Sequence, residues 1–179
     1  MTGAPSVTVS AAPRPGATAR TLSVLVDDHP GVLNRVASLL RRRRFNVESL
    51  NVGASEQPGL SRMTIALHAD DAAAEQAVKQ LYKLLEVRKV VDLSHERLVT
   101  RELALLKVAA SDESRGPLRE IAELFGARVV DVAPRSLVIE AVGSEERIDS
   151  LLAMLRPYGI REVARTGRVA VARGAGGEG

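Results

Sequence analysis

The sequence predicts an α+β chain built from two copies of one βαββαβ unit. Three observations predict it. Apolar residues alternate between strand-like runs and helical stripes in the order strand, helix, strand, strand, helix, strand. That order then repeats, with VLNRVASLL in the first half echoed by PLREIAELF in the second. The copies break near residues 95–100. We therefore expect a tail over residues 1–19, a first unit over 20–96, a second over 97–174 and a short tail over 175–179.

The elements follow in order. TLSVLV (21–26) is β-rich and nearly all apolar, the pattern of a central strand. After it, Val32, Leu33, Val36, Ala37, Leu39 and Leu40 form one stripe at helical spacing. FNVESLNV (45–52) alternates as a strand, 53–59 form a loop, and LSRMTIALH (60–68) completes a hairpin. Asp70 and Asp71 cap a helix over 72–86 whose inner face is Ala74, Ala77, Val78, Leu81 and Leu84. VRKVVDLS (87–94) is the fourth strand.

In the second copy, 101–110 is a strand and 117–126 a helix closed by Gly126. Two strands then turn at Pro134 and Arg135. Ser144 caps a helix with Ile148, Leu151, Leu152 and Leu155 inward and Gly159 at its end, and 160–173 supply the last strand. Such a unit is the ferredoxin-like arrangement, an antiparallel four-stranded sheet with both helices on one face. The other face needs a cover, because Val24, Leu25 and Val26 are apolar on both sides of the strand. Pairing of units within or between chains would supply it, so we expect a dimer or larger.

Composition narrows the function. The chain has 179 residues, 45% of them hydrophobic but only 2% aromatic, so its cores rest on Val, Leu, Ile and Ala. Twenty-five basic and 22 acidic side chains leave a net charge of +3, a mixed surface rather than a polyanion-binding one. Without Cys there is no disulfide, thiolate nucleophile or Cys-ligated metal. No apolar run approaches the roughly 18–20 residues that span a bilayer. The first nineteen residues are rich in Ala, Pro, Thr and Ser and carry no acid. They read as a disordered tail, with Pro5, Pro13 and Pro15 opposing a helix, which suits a cytoplasmic protein; an organellar transit peptide is the alternative.

Nothing assembles an active site. His29, His68 and His95 lie far apart, HAD at 68–70 reads as a strand end running into a helix cap, and no GxSxG elbow occurs. The run RRRR (41–44) invites a nucleic-acid reading, but sheets that bind RNA stack bases on aromatic side chains, and two Phe and two Tyr do not supply that pattern. Cations in the last turn of a helix complement its dipole, so the run reads as a solvated helix end.

The turn at 28–31 is different. Pro30 suits a first helical turn, and Gly31 lets a ligand approach the backbone. Free amides at a helix start form a ready site for a carboxylate, donating to its oxygens. Asn46, opening the next strand, would lie beside that helix start and can both donate and accept. The same residues also serve as an ordinary cap and turn, and the residues alone leave both readings open.

One resemblance is specific. DDHPGVLNRVASLLRRRRFNVESLNVG followed by LSRMTI, then KQLYKLLEVRKVVDL, RELALLKV, VVDVAP and EVARTGRVAVARG, resembles the regulatory small subunits of acetolactate (acetohydroxyacid) synthase, over about residues 20–174. PGVL alone is shared by many ACT domains; NVESL, SRMTI and RELALLKV in this order are more specific. The resemblance implies that the first unit is an ACT domain. It implies a chain that binds the catalytic large subunit, a transferase, and raises its activity. It also implies sensing of valine or another branched-chain amino acid, and a homodimer through the ACT domains. Thiamine diphosphate, magnesium and FAD would then sit on the large subunit, with no cofactor, nucleic acid or membrane on this chain. Carried over residue by residue, the effector site would comprise Asp28, Gly31, Val32, Leu33, Asn46 and Val47. Two positions depart from the family pattern: Arg44 stands where Gly is usual, and His29 where Lys or Glu is common. The second copy lacks the site, with Arg128 at the place of Asn46 and a turn reading Arg115, Gly116, Pro117. A free-standing ACT amino-acid sensor of some other enzyme is the alternative.

Overall fold

The computed structural model describes residues 18–174. The expected tails lie almost wholly outside them, though Thr18 and Ala19 already belong to the first strand. The first sheet holds β1 (Thr18–Asp27), β2 (Asn46–Ala54), β3 (Leu60–Ala69) and β4 (Val87–Asp92), ordered β2-β3-β1-β4 and antiparallel throughout. Helices α1 (Val32–Arg42) and α2 (Asp71–Leu81) pack on one face of it. The second sheet holds β5 (Leu98–Ala109), β6 (Arg128–Ala133), β7 (Ser136–Gly143) and β8 (Ile160–Arg165), ordered β6-β7-β5-β8, with β9 (Val169–Ala172) on the first half of β5. Helices α3 (Arg115–Leu124) and α4 (Glu145–Leu155) cover its inner face. This is the predicted pair of ferredoxin-like units.

Each unit has its own core, as the alternating pattern requires. Leu22, Val24 and Val26 of β1 meet Val36 and Leu40 of α1; Leu106 and Val108 of β5 meet Leu118, Ile148 and Leu151. At roughly 25 cal/mol per Å² of apolar surface, each such side chain contributes about 1.5–3 kcal/mol by leaving water.

Both first helices end alike. The amide of Phe45 donates to the Leu40 carbonyl and that of Arg44 to Arg41; in the second unit Ala127 donates to Ala122 and Gly126 to Glu123. This is the Schellman arrangement, which needs a left-handed residue after the helix. Gly126 takes it at φ 58°, and so does Arg44, the one non-glycine residue with positive φ among those described. The departure at Arg44 therefore changes the side chain and keeps the backbone.

Several expectations need correction. Leu33 and Ala37 lie outside the core, because the helix buries only the flank carrying Val32, Val36, Leu39 and Leu40. Helix α2 stops at Leu81, where Tyr82 turns aside and its hydroxyl donates to the Val90 carbonyl and accepts from the Val90 amide. Leu98 and Val99 are strand, not linker, since β5 runs on to pair with β9. The last run splits at residues 166–168, where Gly167 has φ 76°.

The outer face of the first sheet is also less apolar than expected. Leu25 shares it with buried Thr21, Ser23 and Thr64, while Val24 and Val26 point into the core. Part of the cover comes from the same chain: β5 and β9 face β2 and β3 across a cleft of about 420 Å³ lined by Asn51, Val52, Thr64, Val99, Val169 and Val171.

Candidate functional site

The turn after β1 is tied down on both sides. The Asp27 amide donates to the Glu86 carbonyl at 2.9 Å, and that of Asp28 to the Gly59 carbonyl at 2.9 Å. The Asp27 carboxylate takes a two-pronged contact from Arg88 at 2.6 and 2.7 Å, while Arg35 of α1 pairs with Glu86. A rigid scaffold thus presents residues 28–31 as an exposed loop.

The helix start itself is bare. Gly31 stands at the N-cap of α1 with φ 93° and ψ −15°, a left-handed geometry that excludes most side chains. No side chain caps the helix and no acid occupies its first turn. The Val32 amide reaches only the His29 carbonyl, at 3.5 Å. By contrast, Asp70 caps α2 with a 2.7 Å bond to the Ala73 amide, and Ser144 caps α4. Two effects therefore coincide at α1: unpaired first-turn amides and the positive end of the helix dipole, both favourable to an anion. A Cβ at Gly31 would meet nothing within 4 Å, so the approach is open. Pro30 sits in the turn before Gly31 rather than in the first helical turn, because the left-handed glycine delays the helix to Val32.

The six candidate residues fall into two groups. Asp28 and Gly31 are exposed, Leu33 is 49% exposed, and Val32 is buried, so Val32 offers its amide and not its side chain. Asn46 and Val47 are elsewhere. Along β3, Leu60 pairs with Asp27 beside the turn, and His68, eight residues on, pairs with Asn46. At about 3.4 Å per residue the two groups stand roughly 27 Å apart, at opposite ends of the sheet. The expectation that Asn46 lies beside the helix start fails within one chain: α1 runs from one end of the sheet to the other, so the strand after it starts at the far end. Val47 is half-buried against the first core.

The edges of the sheet differ. At β4 the Tyr82 hydroxyl occupies both polar groups of Val90. At β2 the described residues show no equivalent contact on Val90's scale, and α1 packs beside this strand while α2 packs beside β4.

The second unit fills its equivalent turn. Helix α3 starts at Arg115, so Gly116 and Pro117 lie inside its first turn, and Arg115 donates to the carbonyls of Ala133 and Pro134 at 3.0 Å. Arg128 opens β6 as Asn46 opens β2, but it pairs with Glu140. The arginines at 41–44 are exposed at the end of α1. Among the described residues, no three His, Asp or Glu side chains gather as metal ligands, and no helix is long and apolar enough to cross a membrane.

One contact between the two units escaped the sequence reading. Residues 166–168 leave the second sheet and touch β1 and β2 of the first, with the Asn51 side chain donating to the Arg168 carbonyl at 3.0 Å. A Thr-Gly step inside an otherwise strand-like run was the available signal.

Two tandem ferredoxin-like βαββαβ units, the first carrying a bare helix start behind a left-handed glycine, define the class of protein. A family model for an acetolactate synthase small subunit-like ACT domain matches residues 22–89, and one for the small subunit of acetolactate synthase matches residues 101–174. The chain is 52% identical over 164 residues to the acetolactate synthase small subunit of Mycolicibacterium smegmatis, covering 92% of this chain and 96% of that one. It is 50% identical over 154 residues to a probable acetolactate synthase small subunit of Archaeoglobus fulgidus, covering 86% and 96%. The crystal structure of the acetolactate synthase small subunit from Thermotoga maritima superposes with a TM-score of 0.82 at 39% identity, covering 88% of this chain and 98% of that one. The chain belongs to the family of acetolactate synthase small subunits.

Proposed function

We propose that this chain is the regulatory subunit of an acetolactate synthase, with residues 20–96 as the sensing unit and 97–174 as the second, partner-directed unit. It binds the catalytic large subunit, raises its activity, and lowers that activity when it binds valine or a related branched-chain amino acid. Thiamine diphosphate, magnesium and FAD belong to the large subunit in this reading, and this chain carries no chemistry of its own.

The observation that carries the site is the division of its residues between opposite ends of one sheet. A single chain cannot close a pocket from both groups. Two copies joined through their β2 edges can, because antiparallel pairing inverts one sheet relative to the other. Asn46 and Val47 of one copy then approach the turn at 28–31 of its partner, and α1 of each copy lies along the seam. The ligand carboxylate meets the bare amides at α1, the ammonium meets Asp28 and the Asn46 oxygen, and the aliphatic side chain covers Leu33. The exposure of Leu33 and the Tyr82 hydroxyl on the other edge support this arrangement.

The test is acetolactate formation by the large subunit from the same genome, with and without this chain, across a valine titration. Activation followed by valine inhibition supports the reading. Activation without inhibition removes the effector site but keeps the subunit. No activation favours a free-standing sensor. A monomer in sedimentation at micromolar concentration would refute the two-copy site.

A further inference from the structure

The turn at residues 166–168 joins the second unit to the first sheet, and it lands beside half of the proposed site. Thr166 is anchored to β5, its amide donating to the Leu103 carbonyl at 3.0 Å and its hydroxyl accepting from the Leu103 amide at 3.1 Å. Gly167, at φ 76°, lies so close to β2 that a Cβ there would overlap the Ser49 side chain. Arg168 completes the contact. Its carbonyl accepts from Asn51 of β2, its guanidinium donates to the Thr21 hydroxyl of β1 at 3.3 Å, and it pairs with Glu145 at the start of α4. That side chain is 17% exposed, so solvent screens the pairing only weakly. One residue thus touches two strands of the first sheet and a helix of the second unit.

The landing point is the bulge in β2. The register against β3 slips between Val47 and Ser49, which makes Glu48 the extra residue. Its carboxylate stands 3.3 Å from His68 and lies in the fields of Glu145 and Arg168. Along the chain, Glu48 separates Asn46 and Val47, the proposed effector residues, from Ser49 and Asn51, the seats of Gly167 and Arg168. A ligand that moves the first pair must act on the second within a few residues of continuous backbone.

We infer that the turn at residues 166–168 couples the amino-acid site to the second unit: occupancy at Asn46 and Val47 shifts the β2 bulge and thereby changes the seating of Gly167 and Arg168. This rests on the reading of Asn46 and Val47 as effector residues. Arg168 is a positioning residue here and does not touch the ligand. The coupling needs two seatings of the turn whose balance the ligand biases.

The test compares the full-length chain with its Arg168→Gln and Gly167→Ala variants, each with the catalytic subunit. The variants should still raise the acetolactate rate without valine and should bind valine with a Kd within about threefold of the parent. Their valine inhibition constant should rise by about tenfold, inside the 5–150-fold span of ordinary allosteric couplings. Unchanged inhibition in both variants overturns the inference. Loss of binding and inhibition together overturns it too, by placing Arg168 in the site. Hydrogen exchange on the unmodified chain needs no variant: valine should alter the amide exchange of residues 166–169, and no change there refutes the coupling. If the unmodified chain binds neither valine, leucine nor isoleucine, the effector reading itself falls and takes the coupling with it.

Discussion

Replacing Gly31 by Asp separates the sensing role of the turn from its structural one. A side chain at φ 93° costs roughly 1–2 kcal/mol, with Asp near the lower end because it visits the left-handed region more readily than most. No steric term adds to this, since a Cβ at 31 meets nothing within 4 Å. A carboxylate at an uncapped helix start recovers about 0.3–1 kcal/mol from the dipole. The net loss is at most about 1 kcal/mol, a shift of roughly 2–4 °C in melting for a chain of this size. Binding should suffer far more. Two unit charges held about 4 Å apart near a protein surface repel by about 4 kcal/mol, and even a third of that weakens a carboxylate ligand about tenfold. Titration calorimetry with valine, a thermal melt and the acetolactate assay together read the outcome. We expect valine response lost, melting changed by a few degrees, and activation without valine retained. Gly31→Asn, which keeps the backbone preference without the charge, should bind more tightly than Gly31→Asp. Unchanged valine affinity in the Asp variant would take Gly31 out of the site.

Three further outcomes follow from the packing. Arg44→Gly should stabilise the chain by up to about 1 kcal/mol in urea denaturation, because Arg44 holds the left-handed post of a Schellman end that Gly126 fills in the second unit; a loss of stability would contradict that account. Tyr82→Phe removes the hydroxyl from both polar groups of Val90 and should cost about 1 kcal/mol, water replacing part of the loss at a half-exposed site, and should raise concentration-dependent association through the freed β4 edge. The pKa of Glu48 is raised from 4.5, first by burial and then by the facing Glu145, against the opposing pull of Arg168 and His68. A carboxylate with a raised folded pKa stabilises below its unfolded value, and that contribution is lost as pH rises through the folded one. Glu48→Gln should therefore match the parent in melts near pH 4.5 and below, and exceed it at higher pH; parallel curves at every pH would refute this assignment.

How far the site could be read from the sequence depends on what kind of fact each part is. A helix start close to Gly31 was legible because helix starts are written in consecutive residues, but the left-handed backbone of Gly31, which moves the start past Pro30 to Val32, was not. Neither was the separation of Asn46 from that turn. It depends on α1 running the length of the sheet and on β3 standing between β1 and β2, a matter of strand order rather than local pattern. Leu33 and Ala37 illustrate the same limit: their spacing fits the apolar stripe, but only the position of the sheet under the helix says which flank is buried.

By itself the sequence determined two cores, four helices and, among the described residues, eight of the nine strands, because apolar period and capping residues act over a few positions. The tertiary structure decided the rest. It extended β5, split off β9, and brought Arg168 onto Thr21 across 147 residues and onto Asn51 across 117. Contacts at that separation depend on how whole sheets pack, and no short window of sequence carries them.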